Sequence, residues 1–137
     1  MGFHEWRRRR TKHLGEVWVP FAQIETRSAA GTFRPVFLQI DSGAAISLLR
    51  RSFADLLGID LAAGRRIELG SVGGSRIVAF VHEIETRFAD QIVLSIPYAI
   101  SEIERVPNLL GRLGVFENLR IEFDPLLRGT TITLPKR

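Results

Sequence analysis

With 137 residues, 45% of them hydrophobic, the chain is long enough for one domain with a sizeable core and too short for two. It has no cysteine, which excludes disulfides, thiolate catalysis and cysteine-ligated zinc. The three histidines lack any metal-ligand spacing, so we expect neither a metal nor another cofactor. The net charge of +4 comes from residues 1–14, which contain Arg7, Arg8, Arg9, Arg10 and Lys12 against the single acid Glu5.

This basic arm, residues 1–14, is predicted to be disordered, and the folded domain is predicted to span residues 15–137. Four consecutive arginines can bind nucleic acid or anionic lipid. The rest of the chain has no basic excess, however, so we do not expect nucleic acid as a partner.

No apolar run reaches the ~20 residues of a transmembrane helix, and none follows the basic residues as in a signal peptide. We therefore expect a cytoplasmic protein.

Alternating apolar residues and turn signals predict a series of strands along the chain. A first strand over residues 15–26 contains Pro20, which suits an edge or a bulge, and a turn leads to a second strand over residues 33–40. A short helix is predicted over residues 51–57, before Gly58. Further strands are predicted over residues 65–69, 76–86 and 92–100, with a final hairpin over residues 119–134.

The second strand ends in Asp41-Ser42-Gly43-Ala44, an unusual place for an acid between two apolar runs. Because side chains alternate along a strand, Gln39 and Asp41 are predicted to share one face. Taken alone, the tripeptide is more typical of a turn, in which Asp accepts backbone N–H groups and Gly adopts positive φ, than of a catalytic site. The glycine-rich segment at residues 70–75 could suggest a phosphate loop, but a β-rich segment follows it where such a loop requires a helix.

Three features follow one another in this sequence: the strand ending in Asp41, a glycine-tipped hairpin around Gly73 and Gly74, and a late segment that reads Leu109-Leu110-Gly111-Arg112. In this order they resemble the retropepsin-like, or retroviral-type, aspartic proteases over residues 16–134. The resemblance implies an all-β fold, a closed or partly open β-barrel with a flap hairpin and one or two short helices. Because the chain begins with Met1 and exceeds the minimal retroviral length at both ends, we expect a stand-alone cellular, bacterial-type relative.

The resemblance also implies a role for each motif. Asp41 would be the catalytic aspartate, the Ser42 hydroxyl would bond across the two halves of the site, and the Gly43 backbone would help to receive substrate. The Leu109-Leu110-Gly111-Arg112 segment would support the catalytic loop. The substrate-binding residues are predicted to be Gln39, Ala44, Ile46, Leu48, Val72, Gly73, Gly74 and Ile77.

Aspartic proteolysis needs two carboxylates, one to activate water and one to protonate the carbonyl. The chain contains Asp-Ser/Thr-Gly only once, so it supplies half a site and is predicted to act on peptides or proteins as a two-fold homodimer. Retroviral relatives carry an acid near the motif that pairs with the late arginine, whereas this chain has Ala45. Glu16, Asp60 or an acid of the second chain are candidate partners for Arg112.

Two alternatives to the peptidase stay open. A domain with the same fold could bind peptides or mediate dimerisation without catalysis, and the missing acidic partner of Arg112 favours this reading. A small β-barrel could instead bind nucleic acid through the basic arm. The second alternative predicts binding with a steep dependence on salt that is lost when residues 1–14 are removed.

Overall fold

The computed structural model describes residues 2–70 and 73–136, and its regular structure is almost entirely β. One short helix, α1 (Ser52–Leu57), and one 3₁₀ turn (Leu61–Ala63) lie between the sixth and seventh strands. The strands are β1 (Phe3–Glu5), β2 (Arg7–Thr11), β3 (Gly15–Val19), β4 (Phe21–Arg27), β5 (Phe33–Ile40), β6 (Ser47–Leu49), β7 (Arg65–Gly70), β8 (Arg76–Ala89), β9 (Ile92–Ser101), β10 (Leu109–Leu110), β11 (Arg120–Asp124) and β12 (Gly129–Thr133).

Six strands close into a barrel in the order β4, β5, β10, β6, β9 and β8. The ring closes where β8 returns to β4, with Glu25 opposite Arg87 and Thr26 opposite Thr86. Closure removes the free edges that would otherwise pair with other chains. Strand β7 lies outside the ring and pairs with β8 alone among the described strands. The predicted all-β barrel with a short helix is confirmed.

Strict alternation places the core inside this barrel. In β5 the side chains of Val36, Leu38 and Ile40 are buried, while the residues between them face outward. Each fully buried aliphatic side chain contributes about 1.5–3 kcal/mol to the free energy of unfolding. The core also encloses Tyr98, whose hydroxyl lies 2.9 Å from Thr86 Oγ1, and burial raises the pKa of Tyr98. This hydrogen bond satisfies the phenol where water cannot reach it.

The N-terminal residues differ from the predicted disordered arm. Strand β1 pairs antiparallel with β12, and β2 pairs with β3 as a separate hairpin. His4 is only 8% exposed, and the Phe3 ring occupies the space over Gly129 that a side chain there would need. The prediction rested on local charge density, which overlooks these contacts with distant segments. The predicted first strand is also divided at Pro20 into β3 and β4.

The connection over residues 102–107 holds the start of α1. Glu104 accepts the Ser52 backbone N–H at 2.9 Å and the Ser52 hydroxyl at 2.8 Å. These hydrogen bonds hold the pKa of Glu104 below its usual value. The carboxylate thus caps the helix from a distant part of the sequence.

The C-terminal residues form a three-stranded sheet in which β12 lies between β1 and β11. Both edges of β12 are therefore hydrogen-bonded within the chain. Among the described residues, no helix has the length and apolar character needed to span a membrane.

Candidate functional site

The site is built where β10 inserts between β5 and β6. Strand β10 runs parallel to β5, with Leu110 opposite Ile40, and antiparallel to β6, with Leu109 opposite Leu48. Leu110 is fully buried, so the insertion belongs to the barrel core. This arrangement brings the end of β5 and the segment after β10 into direct contact although they are far apart in sequence.

Backbone hydrogen bonds fix the face on which Asp41 lies. The N–H groups of Gln39 and Asp41 donate to the carbonyls of Asn108 at 2.9 Å and Leu110 at 3.0 Å, both on the β10 side. The N–H of Ile40 donates in the opposite direction, to Pro20 at 2.8 Å. Strand alternation therefore continues through Asp41, and the side chains of Gln39 and Asp41 share one face.

The Asp41 carboxylate is oriented by its own turn. Oδ1 accepts the N–H of Gly43 at 2.9 Å, and the Asp41 carbonyl accepts the N–H of Ala44 at 3.1 Å. Asp41 is half-buried, whereas Ser42 and Gly43 are exposed. The turn expected of an isolated Asp-Ser-Gly is present, and it presents the carboxylate at the surface of the molecule.

Gly111 holds this turn from behind. It is buried, and its N–H donates to Ser47 Oγ at 3.0 Å. A Cβ on Gly111 would lie 2.5 Å from the Ile46 carbonyl carbon and 2.9 Å from the Ala44 oxygen, so only glycine fits. The next N–H, that of Arg112, donates to the Ala44 carbonyl at 2.9 Å. The two loops are therefore in backbone contact.

Arg112 is fastened to the same turn in a way that the sequence did not suggest. Its Nη1 donates to the Ser42 carbonyl at 2.7 Å. Among the described residues it forms no ion pair, and Glu16, one of the suggested partners, pairs with Arg8 at 3.3 Å. A guanidinium bound to a carbonyl needs no carboxylate to hold it in place.

The predicted apolar subsite residues lie together beside this turn. Ile46, Leu48 and Ile77 pack in one cluster with Leu109 and with Leu69 of β7. Leu48 is only 6% exposed, so it supports the cluster from below and offers little surface to a ligand. The base of the β7–β8 hairpin thereby packs against the strands that hold Asp41.

The β7–β8 hairpin is paired as far as Gly70 opposite Arg76. Gly73 and Gly74, beyond the paired strands, have φ values of 98° and 85°, which favour glycine. Neither glycine has a described atom within 4 Å of the position that a Cβ would take, so both glycines are open to solvent. Val72, predicted to line a subsite, lies outside the described residues.

Three residues that hold the site were missed in the sequence. They are Ser47, Asn108, whose Oδ1 accepts the Arg50 N–H at 3.0 Å, and Pro20 through its carbonyl. A serine within an apolar run was the only local signal, because the other two residues act on β5 through backbone carbonyls. Such contacts depend on the tertiary fold and leave no pattern in sequence.

The assembled site offers a single oriented carboxylate on an exposed turn. Among the described residues no group of three or more His, Asp or Glu side chains could hold a metal ion. One carboxylate can act as a general base or as a general acid, and acid–base chemistry at a carbonyl needs both. The turn at Asp41 supplies one carboxylate that could take either role.

Comparison with known proteins identifies the fold. No family model matches the chain, and no curated protein matches it in sequence. Among solved structures, EIAV protease complexed with an inhibitor is similar, with a TM-score of 0.53 and 21% identity over 74% of this chain and 88% of that one. A retropepsin-like aspartic protease from Rickettsia conorii has a TM-score of 0.52 and 20% identity, covering 83% of this chain and 98% of that one. The fold is thus that of the retropepsin-like aspartic proteases.

Proposed function

We propose that the protein is an aspartic endopeptidase that acts as a homodimer, in which water is activated between two Asp41 carboxylates, one from each chain. The observation that carries this proposal is the Asp41 turn. It ends a barrel strand, presents its carboxylate at the surface and is braced by Gly111 and Arg112 on a fold shared with aspartic proteases.

The proposed chemistry follows from placing two such turns together. Two adjacent carboxylates cannot both ionise cheaply, so they share one proton and their pKa values separate. The ionised carboxylate takes a proton from water, and the protonated one donates to the peptide carbonyl. The hydrogen bond from Gly43 to Asp41 Oδ1 fixes the carboxylate orientation that this exchange requires.

The remaining residues have supporting roles in this proposal. The Ser42 hydroxyl, which is exposed, would bond across to the second chain, and the β7–β8 hairpin would close over an extended peptide as a flap. Its exposed glycines, Gly73 and Gly74, allow that movement. The peptide would contact the Asp41 face through Gln39 and Ala44, and the flap base through Ile46 and Ile77.

The alternative of a silent peptide-binding or dimerisation domain had one argument in its favour, the missing acidic partner of Arg112. The hydrogen bond from Arg112 to the Ser42 carbonyl weakens this argument, because the arginine braces the turn without that acid. A domain that only binds peptides has no chemical need for an exposed, oriented carboxylate at this place.

The test is cleavage of a mixed peptide library between about pH 4 and pH 7, a range that brackets a shared-proton pair. We expect Asp41→Asn to lower cleavage by at least about a hundredfold, the range of general acid–base contributions. Asp60→Asn is the matched control, because this exposed carboxylate makes no capping hydrogen bond. Sedimentation at the same concentrations is expected to link activity to the dimer.

Two results would contradict the proposal. Cleavage that persists in Asp41→Asn would assign it to another group or to a contaminating peptidase. A wild-type protein that is dimeric by sedimentation and cleaves nothing in the library would favour the peptide-binding alternative.

A further inference from the structure

The basic residues of the N-terminus form an ordered hairpin rather than a loose tail. In the basic hairpin, defined here as β2, β3 and the turn between them, Arg7 is opposite Val19 and Arg9 is opposite Val17. Because side chains alternate along a strand, Arg7 and Arg9 lie on one face and Arg8 and Arg10 on the other. The four charges therefore have fixed directions.

Two of these arginines are held over the sheet that carries Asp41. The Arg7 guanidinium carbon lies 4.5 Å from the centroid of the Phe37 ring, and that of Arg9 lies 5.7 Å from the centroid of the Phe21 ring. At these distances the aromatic faces attract the cations and orient them without neutralising their charge.

Both aromatic rings belong to the face of the sheet on which Asp41 lies. Phe37 precedes Gln39 by two residues in β5, so the two side chains point the same way. Phe21 is directly opposite Gln39 in the pairing of β4 with β5. Since Gln39 and Asp41 share one face, the guanidinium groups and the carboxylate lie on the same side of these strands.

Glu5 and Glu25 line the same cleft as Arg7, but neither forms an ion pair with Arg7 or Arg9 among the described residues. Among its described residues, the basic hairpin contains one ion pair, which joins Arg8 to Glu16 at 3.3 Å. Neither Arg7 nor Arg9 has a described carboxylate oxygen within 4.0 Å. Both are exposed, so a ligand can reach them.

The distances fit an extended peptide. Alternate residues of a strand are about 7 Å apart, and this spacing is the same for Arg7 and Arg9 as for every second side chain of a bound peptide. Phe37 precedes Asp41 by four residues, about 13 Å along an extended strand. A peptide with its reacting bond at Asp41 would reach the arginines two to four residues away.

We propose that Arg7 and Arg9 bind acidic side chains of peptide substrates, at positions two to four residues from the bond that is cleaved. This inference rests on the proposed function and names the substrate class of the same site. Carboxylates match the planar guanidinium through paired hydrogen bonds, which the aromatic rings beneath leave free.

The test measures binding separately from cleavage, by fluorescence anisotropy with the Asp41→Asn protein. Two labelled ten-residue peptides differ only in carrying Glu or Gln at two alternate positions. We expect the Glu peptide to bind about tenfold more tightly at low salt, and Arg7→Gln/Arg9→Gln to remove the difference. Arg7→Lys/Arg9→Lys, which keeps the charges, is expected to retain part of it.

Arg34→Gln is the matched control, because Arg34 lies at the far end of β5 and is exposed. Thermal unfolding of each variant checks that the basic hairpin remains folded. Equal binding of the Glu and Gln peptides, or a preference that survives Arg7→Gln/Arg9→Gln, would overturn the proposal. A single-stranded oligonucleotide of ten nucleotides is tested in the same way. If it binds more tightly than the Glu peptide, and if this binding depends on Arg7 and Arg9, the face would be assigned to nucleic acid and the proposal would be overturned.

The outcomes separate this inference from the proposed function. If Asp41→Asn abolishes library cleavage while the two peptides bind equally, the peptidase stands without the acidic preference. If cleavage does not depend on Asp41 while the Glu peptide binds preferentially, the basic hairpin remains a peptide site on a domain that is not an aspartic peptidase.

Discussion

Gly111 links the buried core to the exposed carboxylate more directly than any charged residue does. Because Gly111 has no side chain, the backbone of its loop contacts the backbone of the Asp41 loop. The Ser47 hydroxyl accepts the Gly111 N–H, which would otherwise be buried without a partner. The orientation of Asp41 is therefore set by packing as well as by its own turn.

We expect Gly111→Ala to destabilise the protein by about 1–3 kcal/mol, because the new Cβ would collide with backbone atoms of Ile46 and Ala44 that cannot rotate away. Peptide cleavage should fall further than the loss of folded protein explains, since the Asp41 turn must shift to relieve the contact. Urea denaturation measures the loss of stability. Peptide cleavage, assayed without denaturant at a temperature well below that of unfolding, measures the loss of activity.

Gly70→Ala is the control for stability, because the position lies in a strand and has no described atom within 4 Å of the position that a Cβ would take. It should change the free energy of unfolding by less than about 0.5 kcal/mol. Equal stability of the Gly111→Ala and Gly70→Ala proteins would show that the loops at Gly111 can separate without cost.

At the scale of single elements, local signals predicted most strands but not their partners. Strand β5 was predicted correctly because its alternation and its turn residues lie within one short window. Strand β2 was missed because a run of arginines has no apolar alternation, and strand β1 because three residues are too few to show one. Their stabilising partners are distant in sequence, the strand β12 for one and aromatic rings such as Phe37 for the other.

The same limit applies to the candidate site. The Asp41 turn and the Leu109-Leu110-Gly111-Arg112 segment were recognisable because each is a short contiguous motif. The hydrogen bond from Arg112 to the Ser42 carbonyl could not be recognised in the sequence. Every residue has a carbonyl, and only the fold determines which one the guanidinium reaches.

Strand β1 is attached to the barrel through a titratable residue. His4 Nδ1 accepts the Gln23 backbone N–H at 3.2 Å, while Nε2 has no hydrogen-bond partner among the described residues. Burial lowers the pKa of His4 below its ordinary value. Protonation would place a hydrogen on Nδ1, where the N–H of Gln23 already points.

We expect the attachment of β1 to weaken as the pH falls below the ordinary histidine pKa of about 6.5. The unfolded chain then binds a proton that the folded chain with its lowered pKa does not, so stability present above this pH is lost progressively below it. The measurement is urea denaturation at about pH 7.5 and pH 5, monitored by the fluorescence of the tryptophans.

His4→Asn tests the assignment, because Asn Oδ1 can accept the Gln23 N–H without titrating. Its stability should vary less with pH than that of the wild type. The carboxylates of Glu25 and Asp90 line the same cleft and remain in both proteins, so any pH dependence they cause is common to the two. His13→Asn, in the exposed turn of the basic hairpin, serves as the matched control. Identical pH profiles for wild type and His4→Asn would remove His4 from the explanation.

At the scale of the whole molecule, the termini limit how two chains can meet. Strand β12 is bonded on both edges, by β1 and β11, so a second chain can add a strand to this sheet only at the outer edge of β1 or β11. Displacement of β1 would free an edge of β12. The pH that loosens His4 would therefore also make this edge available to the second chain of the proposed homodimer.

The proposed two-chain site makes its sharpest prediction for mixtures. If both Asp41 carboxylates are required, mixing wild type with an equal amount of Asp41→Asn protein leaves roughly a quarter of the dimers active once subunits have exchanged at random. Activity per wild-type chain should then be about half that of wild type alone, provided that dimers predominate at the concentration used. Mixing with Asp60→Asn should leave activity per chain unchanged. Activity that simply follows the amount of wild-type protein would mean that a single chain carries a complete site, which would contradict the half-site that the one Asp-Ser-Gly turn implies.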